Sequence, residues 1–226
     1  MSAKAPPTRF AVALFPGFQA LDVFGPLDTL NMLSKETPLS LTILAPSLSP
    51  VSTSTATSGH TTGQSVVPTR TYADALTAGE DIEVLLVPGG FGTRDPANTA
   101  EVEDFVKRAF PKLRYLLTVC TGSALVARTG VLDGRRATSN KRAWEWATSQ
   151  GPNVNWVTRA RWVPDGNIWT SSGISAGIDM MFAFVAEHYG EEIAAALADD
   201  AEYVRNTDPE NDPFAKGPVG KNGVAK

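Results

Sequence analysis

The sequence predicts a three-layer α/β sandwich in which helices cover both faces of a mainly parallel sheet. Short, continuous apolar runs, typical of strands buried on both faces, alternate with segments of helical periodicity. Hydrophobic residues make up 42% of the 226 residues, which is enough for one sizeable core. We therefore predict a single domain over residues 1–204. Residues 205–226 are rich in Pro, Gly, Asp, Asn and Lys, and we expect them to form an extended or disordered tail.

The predicted strands are apolar runs that end at proline, glycine or other turn residues. They comprise residues 9–16, 39–46, 82–87 and 112–119. Alternating residues around a turn predict a small antiparallel patch at the sheet edge, built from residues 154–157, 160–163 and 168–172. One predicted helix starts after Gly25 with Pro26 in its first turn. Further helices are predicted over residues 96–110, 173–185 and 191–204.

Composition excludes several classes of protein. The net charge of −4 offers no basic footprint for nucleic acid. No apolar run reaches the roughly 18 residues of a membrane span, and residues 1–9 lack the apolar region of a secretory signal. With one cysteine there is no intramolecular disulfide, so we expect a cytoplasmic location. Two histidines and one cysteine without ligand spacing predict neither a metal nor another cofactor.

The only cysteine, Cys120, stands at the end of a predicted buried strand. A Cys-Thr-Gly-Ser turn follows it, and then a new apolar run at helical spacing. A strand-to-helix turn of this kind presents the nucleophile in many α/β enzymes, and a helix N-terminus lowers the pKa of a thiol. The alternative is that Cys120 is a small buried hydrophobic residue. Both interpretations are open on this stretch alone.

Two further features follow predicted strand ends. Asp22 lies in an apolar stretch, where its carboxylate is either a helix cap or a group held in a site. Gly89 and Gly90 allow backbone N–H groups to approach a ligand closely, but they match neither G-x-G-x-x-G nor a P-loop. An oxyanion hole is the other use of such N–H groups. Because working groups gather at the carboxyl ends of parallel strands, the convergence of these features with Cys120 favours a catalytic site.

The remaining candidates are histidines and aromatic residues. We interpret His60, in a polar turn, as a surface residue. His188 falls at the end of an apolar helix, where a positive charge would complement the helix dipole. Phe91, Trp144 and Trp162 either line a pocket or pack in the core.

Five stretches together resemble the DJ-1/PfpI superfamily, and in particular its isocyanide (isonitrile) hydratase-like branch: residues 21–26, 87–90, 119–123, 135–138 and 170–179. The resemblance implies a flavodoxin-like fold, a homodimer, and a catalytic cysteine with a partner aspartate at the positions of Cys120 and Asp22. Beyond this resemblance, we expect Thr121 to act in catalysis through its N–H or its hydroxyl; the alternative is a simple helix-start residue. We expect the oxyanion and substrate-binding positions at Gly89, Gly90, Thr121, Gly173 and Ile174.

The same resemblance bears on the choice of mechanism. Peptidase-like members of the superfamily place a glutamate near the cysteine and often a histidine after the following strand. Here Asn140 occupies the histidine position, which disfavours a Cys-His mechanism. The resemblance therefore implies a hydratase that converts isocyanides, as small-molecule substrates, into N-substituted formamides through a thioimidate on Cys120, with Asp22 as general acid and base. Two alternatives stay open: a glyoxalase or deglycase acting on small aldehydes, and a redox-sensing or chaperone-like protein with an oxidisable cysteine.

Overall fold

The computed structural model describes residues 5–58, 61–77 and 81–215. Its strands, in chain order, are β1 (Arg9–Ala13), β2 (Ser40–Ala45), β3 (Val51–Ser52), β4 (Ser65–Val66), β5 (Arg70–Thr71), β6 (Val84–Val87), β7 (Tyr115–Thr118), β8 (Arg136–Ala137), β9 (Asn155–Trp156), β10 (Trp162–Asp165) and β11 (Ile168–Ser171). Its α-helices are α1 (Ala20–Leu33), α2 (Tyr72–Thr77), α3 (Pro96–Ala109), α4 (Gly122–Arg128), α5 (Trp144–Ser149), α6 (Ala176–Tyr189) and α7 (Glu191–Asp200).

A seven-stranded sheet forms the centre of the described chain, in the order β10-β11-β7-β6-β1-β2-β5. The antiparallel pair β10–β11 lies at one edge, and the other neighbouring strands are parallel. Strands β6 and β11 are buried along their whole length, because helices cover both faces of the sheet. The predicted α/β sandwich with a mainly parallel sheet is confirmed, and the fold is flavodoxin-like.

The helices form two groups. Helices α1, α6 and α7 pack on one another, and α3 packs on both α2 and α4. Their apolar faces complete a core that includes Phe15, Phe105 and Phe184. Among the described residues, no helix combines the length and the apolar character needed to cross a membrane.

Helix α1 corrects the prediction that this helix starts after Gly25. It begins at Ala20, so Gly25 and Pro26 lie inside it. Gly25 is needed for packing, since a Cβ atom there would stand 2.6 Å from Cγ1 of Ile178 in α6. Pro26 has no N–H to donate to the carbonyl of Asp22, one turn earlier. Because α1 begins at Ala20, Asp22 belongs to its first turn and does not precede the helix.

The antiparallel edge is confirmed for β10 and β11, but its third predicted member lies elsewhere. Strand β9 pairs in parallel with β8, in a separate two-stranded sheet. The N–H of Val157 continues this pairing by donating to the carbonyl of Ala137, at 2.8 Å. Alternation predicts that a segment is extended, whereas the choice of its partner depends on distant contacts.

Residues 205–215 contain no helix or strand, yet they contact the body of the protein. The N–H of Arg161 donates to the carbonyl of Pro209, and Asp212 is 7% exposed. The division of the chain at residue 204 stays a prediction. His60 lies outside the described residues.

His188 does not act as a positive charge at a helix end. It packs against the rings of Tyr115, Trp169 and Phe184. Burial, assisted by the positive charge of Arg114, lowers the pKa of His188 below its ordinary value. The earlier interpretation is therefore wrong, because the aromatic packing and the nearby guanidinium favour the neutral imidazole.

Replacing His188 with phenylalanine is expected to reduce the loss of stability on acidification. Because the folded-state pKa of His188 lies below 6.5, its contribution to stability is present above 6.5 and is lost as the pH falls through the folded-state value. Thermal unfolding at about pH 7.5 and about pH 5.5 should give a smaller decrease in Tm for His188→Phe than for the wild type. The exposed neighbour Glu187, changed to glutamine, is the control; equal decreases for His188→Phe and the wild type would contradict the prediction.

Candidate active site

Three loops meet at the carboxyl edge of the sheet, because β1, β6 and β7 are neighbours in it. The loop after β1 contacts the loop after β6 through two backbone hydrogen bonds. The N–H of Gln19 donates to the carbonyl of Gly89 at 2.8 Å, and the N–H of Gly92 donates to that of Gly17 at 3.0 Å. Asp22, the Gly89–Gly90 turn and Cys120 are thereby brought together, as the positions of the predicted strand ends suggested.

Cys120 occupies a strained turn between β7 and α4. Its φ angle is 58°, a left-handed backbone conformation that residues other than glycine rarely adopt. Three hydrogen bonds hold its backbone. The N–H donates to the carbonyl of Ser172, and the carbonyl accepts from the hydroxyls of Ser123 and Ser139, each at 3.1 Å. The side chain is therefore fixed in place at the end of the sheet, with 6% of the residue exposed.

Asp22 faces this thiol from α1. The residue is fully buried, and its Oδ2 accepts the N–H of Gly89 at 2.9 Å. Oδ1 has no hydrogen-bond partner within the described ranges. Burial raises the pKa of Asp22 from 3.8 to about 7, against the opposing effects of the Gly89 N–H and the Cys120 side chain. The carboxyl group does not cap α1, whose N-cap is Gln19.

The surroundings of Cys120 raise the pKa of its thiol and so favour the protonated form. Burial, and then the negative charge of Asp22, raise the pKa of Cys120 to about 12. The Asn140 amide and the N–H groups of Ile174 and Thr121 act in the opposite direction. The expectation of a lowered thiol pKa is wrong, because burial and the charge of Asp22 outweigh the hydrogen bonds that lower it. Asp22 is consequently the group of the pair whose charge changes near neutral pH.

Asn140 is a site residue that sequence reasoning missed. Its Nδ2 donates to Sγ of Cys120 at 3.0 Å. Its Oδ1 accepts the N–H groups of Arg142 and Ala143, which orients the amide with its NH₂ toward the sulfur. From the sequence, Asn140 marks only the position of a missing histidine. Its position after β8, where related proteins place a histidine, was the signal that could have identified it.

Thr121 contacts the loop after β6. The N–H of Gly90 donates to Oγ1 of Thr121 at 3.0 Å, and the hydroxyl of Thr93 donates to the same oxygen at 3.1 Å. The Gly90 N–H that we expected to face a substrate is therefore engaged within the protein. Thr121 is the N-cap residue of α4, but its side chain makes no capping hydrogen bond. Its own N–H, in contrast, faces the thiol.

Glycine is required at position 89. A Cβ atom at Gly89 would stand 2.5 Å from the Thr121 nitrogen and 3.0 Å from Oδ2 of Asp22. Any side chain here would separate the carboxyl group from the turn that carries the thiol.

Gly173 and Ile174 close the site from the loop before α6. A Cβ atom at Gly173 would stand 2.7 Å from Nδ2 of Asn140, so this glycine makes room for the amide. Ile174 has a φ angle of 42°, and its N–H faces the Cys120 thiol. A β-branched residue in this conformation is strained, and the strain coincides with a backbone donor directed at the sulfur.

The candidate aromatic residues have different environments. Trp162 is buried in the core, and Trp144 packs edge-to-face on Trp156. Phe91 is 63% exposed and lines a cavity of about 130 Å³ together with Gln19. Within residues 5–58, 61–77 and 81–215, no cluster of three or more His, Cys, Asp or Glu side chains is arranged to hold a metal.

The fold and the site define a class of protein: an α/β protein with a buried thiol on a strained strand-to-helix turn and a buried carboxyl group beside it. The DJ-1/PfpI family model matches residues 8–187, and the chain belongs to this family.

Proteins similar in sequence to this chain carry the names of different functions. The chain is 32% identical over 192 residues to the isonitrile hydratase of Pseudomonas putida, covering 84% of this chain and 76% of that protein. It is 29% identical to the HTH-type transcriptional regulator GlxA of Rhizobium meliloti, over 77% of this chain and half of that protein. A crystal structure of a ThiJ/PfpI family protein from Pseudomonas syringae superposes with a TM-score of 0.75 at 29% identity, covering 95% of this chain and 81% of that one.

Replacing Asp22 with asparagine is expected to stabilise the fold at alkaline pH. With a folded-state pKa raised from 3.8 to about 7, the stability contributed by Asp22 is present below 3.8 and is lost as the pH rises through about 7. This difference corresponds to at most about 4 kcal/mol. Asparagine stays neutral and can still accept the Gly89 N–H. Urea unfolding should therefore show a gain at about pH 8 that is smaller at about pH 5.

The matched control for this experiment is Asp28→Asn. Asp28 is an exposed carboxylate on the same helix. A pH-independent difference between Asp22→Asn and the wild type would contradict the burial of an ionised Asp22.

Proposed function

We propose that the protein is a cysteine-dependent hydratase that converts isocyanides into N-substituted formamides. The observation that carries the proposal is the buried pair of Cys120 and Asp22, in which a carboxyl group with a pKa of about 7 faces a thiol. A general acid and base works best when its pKa is near the operating pH. The 32% identity to an isonitrile hydratase over most of both chains supports the choice of substrate.

In the first step, the sulfur of Cys120 bonds to the terminal carbon of the isocyanide. The ionised Asp22 accepts the S–H proton and delivers it to the same carbon. The product is a thioimidate, R–N=CH–S–Cys120, and the proton balance is unchanged. The N–H groups of Ile174 and Thr121 and the amide of Asn140 stabilise the sulfur as its proton leaves.

In the second step, water adds to the thioimidate carbon. Asp22 accepts a proton from the water, and the imine nitrogen gains one, which gives R–NH–CH(OH)–S–Cys120. The C–S bond then breaks, and the hydroxyl proton passes through Asp22 to the sulfur. The products are R–NH–CHO and the original thiol, so the sum is one isocyanide and one water converted to one formamide.

The surroundings of the pair suit a small neutral substrate. Asp22 is fully buried and Cys120 is 6% exposed, so a charged substrate would pay a large desolvation cost. An uncharged isocyanide needs proton transfer at the reacting carbon more than it needs a fixed countercharge. Asp22 makes that transfer, and the hydrogen bonds that hold Cys120 and Asn140 fix the geometry in which it takes place.

We also propose that two copies associate through α1. Leu21 and Phe24 are exposed on this helix, at 44% and 45%, and two large apolar side chains one turn apart are typical of a contact surface. The resemblance noted above implies a homodimer. A cytoplasmic location is part of the same proposal.

Removing the nucleophile or the proton carrier is expected to stop turnover. Cys120→Ala should abolish conversion of a simple alkyl or aryl isocyanide, because no covalent intermediate can form. Asp22→Asn should lower kcat by roughly 10² to 10⁴, the usual contribution of general acid–base catalysis. Formamide production followed by chromatography measures both effects. Asp28→Asn, on the same helix, should keep wild-type activity.

The activity of the wild type should rise with pH. Asp22 must be ionised to accept the thiol proton, so kcat/KM is expected to increase as the pH passes through about 7. A profile measured between about pH 5.5 and about pH 8.5 checks this. A flat profile across this range would remove Asp22 from the role of base.

Absence of turnover with several isocyanides would overturn the hydratase proposal and leave two other uses of the thiol. Consumption of methylglyoxal would indicate a glyoxalase or deglycase. Discrete oxygen additions to Cys120 in the intact mass after mild peroxide would indicate redox sensing. The raised pKa of Cys120 works against the redox alternative, because the thiolate is the form that peroxide oxidises.

A further inference from the structure

The amide of Asn140 reaches the thiol because the loop that carries it has a fixed shape. Nδ2 lies 3.0 Å from Sγ of Cys120. The loop itself contains no helix or strand between β8 and α5. Other contacts must therefore fix its position relative to the thiol.

The next residue, Lys141, supplies those contacts. Its ammonium group donates to Oγ1 of Thr138 at 2.7 Å and to the carbonyls of Ser139 and Ala160 at 3.1 and 2.9 Å. The side chain of Lys141 is 7% exposed, so its positive charge is buried within the loop. A buried ammonium is stable only with hydrogen bonds and a countercharge.

The countercharge comes from the C-terminal segment. Oδ2 of Asp212 lies 3.6 Å from Nζ of Lys141, and the Asp212 side chain is fully buried. Oδ1 of the same residue lies 4.0 Å from Nη1 of Arg161. Asp212 lies beyond residue 187, where the match to the family model ends. The countercharge of Lys141 therefore comes from a part of the chain outside that match.

Arg161 connects the same carboxylate to the turn that holds the cysteine. Its carbonyl accepts the N–H of Ser172, whose own carbonyl accepts the N–H of Cys120. Its Nε lies 2.5 Å from Oδ2 of Asp179 in α6. The two cations and two anions, Lys141, Arg161, Asp179 and Asp212, form one buried cluster beside the site.

We propose that Asp212 is a positioning residue for the active site, and that through Lys141 it holds the Asn140 amide at hydrogen-bond distance from the sulfur of Cys120. The inference rests on the proposed role of Cys120 as the nucleophile and is independent of which substrate the thiol attacks. The segment that follows α7 thus takes part in the site without contacting the reacting atoms.

Alkylation of the thiol by iodoacetamide tests this directly, since Cys120 is the only cysteine of the chain. The variants are Asp212→Asn, Asn140→Ala and the double variant. Because the thiolate is the reacting form, removal of its amide donor in Asn140→Ala is expected to slow alkylation about tenfold. Asp212→Asn should slow it about threefold, since the donor is displaced but present. The double variant should be no slower than Asn140→Ala.

Alkylation rates are compared across a pH series, because charged groups lie beside both positions. Asp22 faces the thiol, and Lys141, Arg161 and Asp179 surround Asp212. Asp208→Asn is the matched control; Asp208 is exposed on the same segment, and its Oδ1 accepts the N–H of Glu210. A lowered Tm with an unchanged alkylation rate would show that Asp212 has a structural role only. Equal slowing by Asp212→Asn in the presence and absence of Asn140 would also overturn the proposal.

A second variant covers the case in which Asp212→Asn does not fold. The combination of Lys141→Met with Asp212→Asn removes both charges of the Lys141–Asp212 pair, so neither is left buried alone. It should also slow alkylation, because the contacts of the ammonium with the loop are lost. A wild-type rate in this variant, with slow alkylation in Asn140→Ala, would contradict the proposal. Since no isocyanide is used, failure here is distinguishable from failure of the hydratase assignment.

Discussion

The site depends on a carboxyl group that the fold removes completely from water. The N–H of Gly89 and the side chain of Cys120 are the partners of Asp22, and the desolvation that they do not offset raises its pKa to about 7. The same burial, with the adjacent carboxylate, keeps the thiol of Cys120 protonated. A buried carboxyl group that changes its charge near neutral pH, beside a thiol that keeps its proton, is thus the central property of the site.

Glycine and strained backbone make this close approach possible. Gly89 and Gly173 leave the space that Asp22 and Asn140 occupy next to the thiol. Cys120 and Ile174 adopt positive φ angles, and the hydrogen bonds of the surrounding loops hold Cys120 in that conformation. The stability of the core, in which parallel strands are buried on both faces, offsets the strain of these turns.

Local pattern was sufficient to predict the layers, the parallel sheet and the strand end at which Cys120 stands, but it placed Asp22 before the helix that contains it. It could not predict what depends on distant contacts. Gly25 lies inside α1 where α6 packs against it, and the raised pKa of Cys120 results from burial in the folded protein. Asn140 was missed because its contact with the thiol depends on the folded path of the loop after β8, which brings together residues twenty positions apart.

The contact between Gly25 and Ile178 links both sides of the site. Gly25 lies one turn beyond Asp22 in α1, and Ile178 lies one turn beyond Ile174, whose N–H faces the thiol. A side chain at position 25 would meet Ile178, so α1 or α6 would have to shift. Asp22 lies in α1 and Ile174 lies just before α6, so the packing of these two helices at a point away from Cys120 concerns two of the groups that face its sulfur.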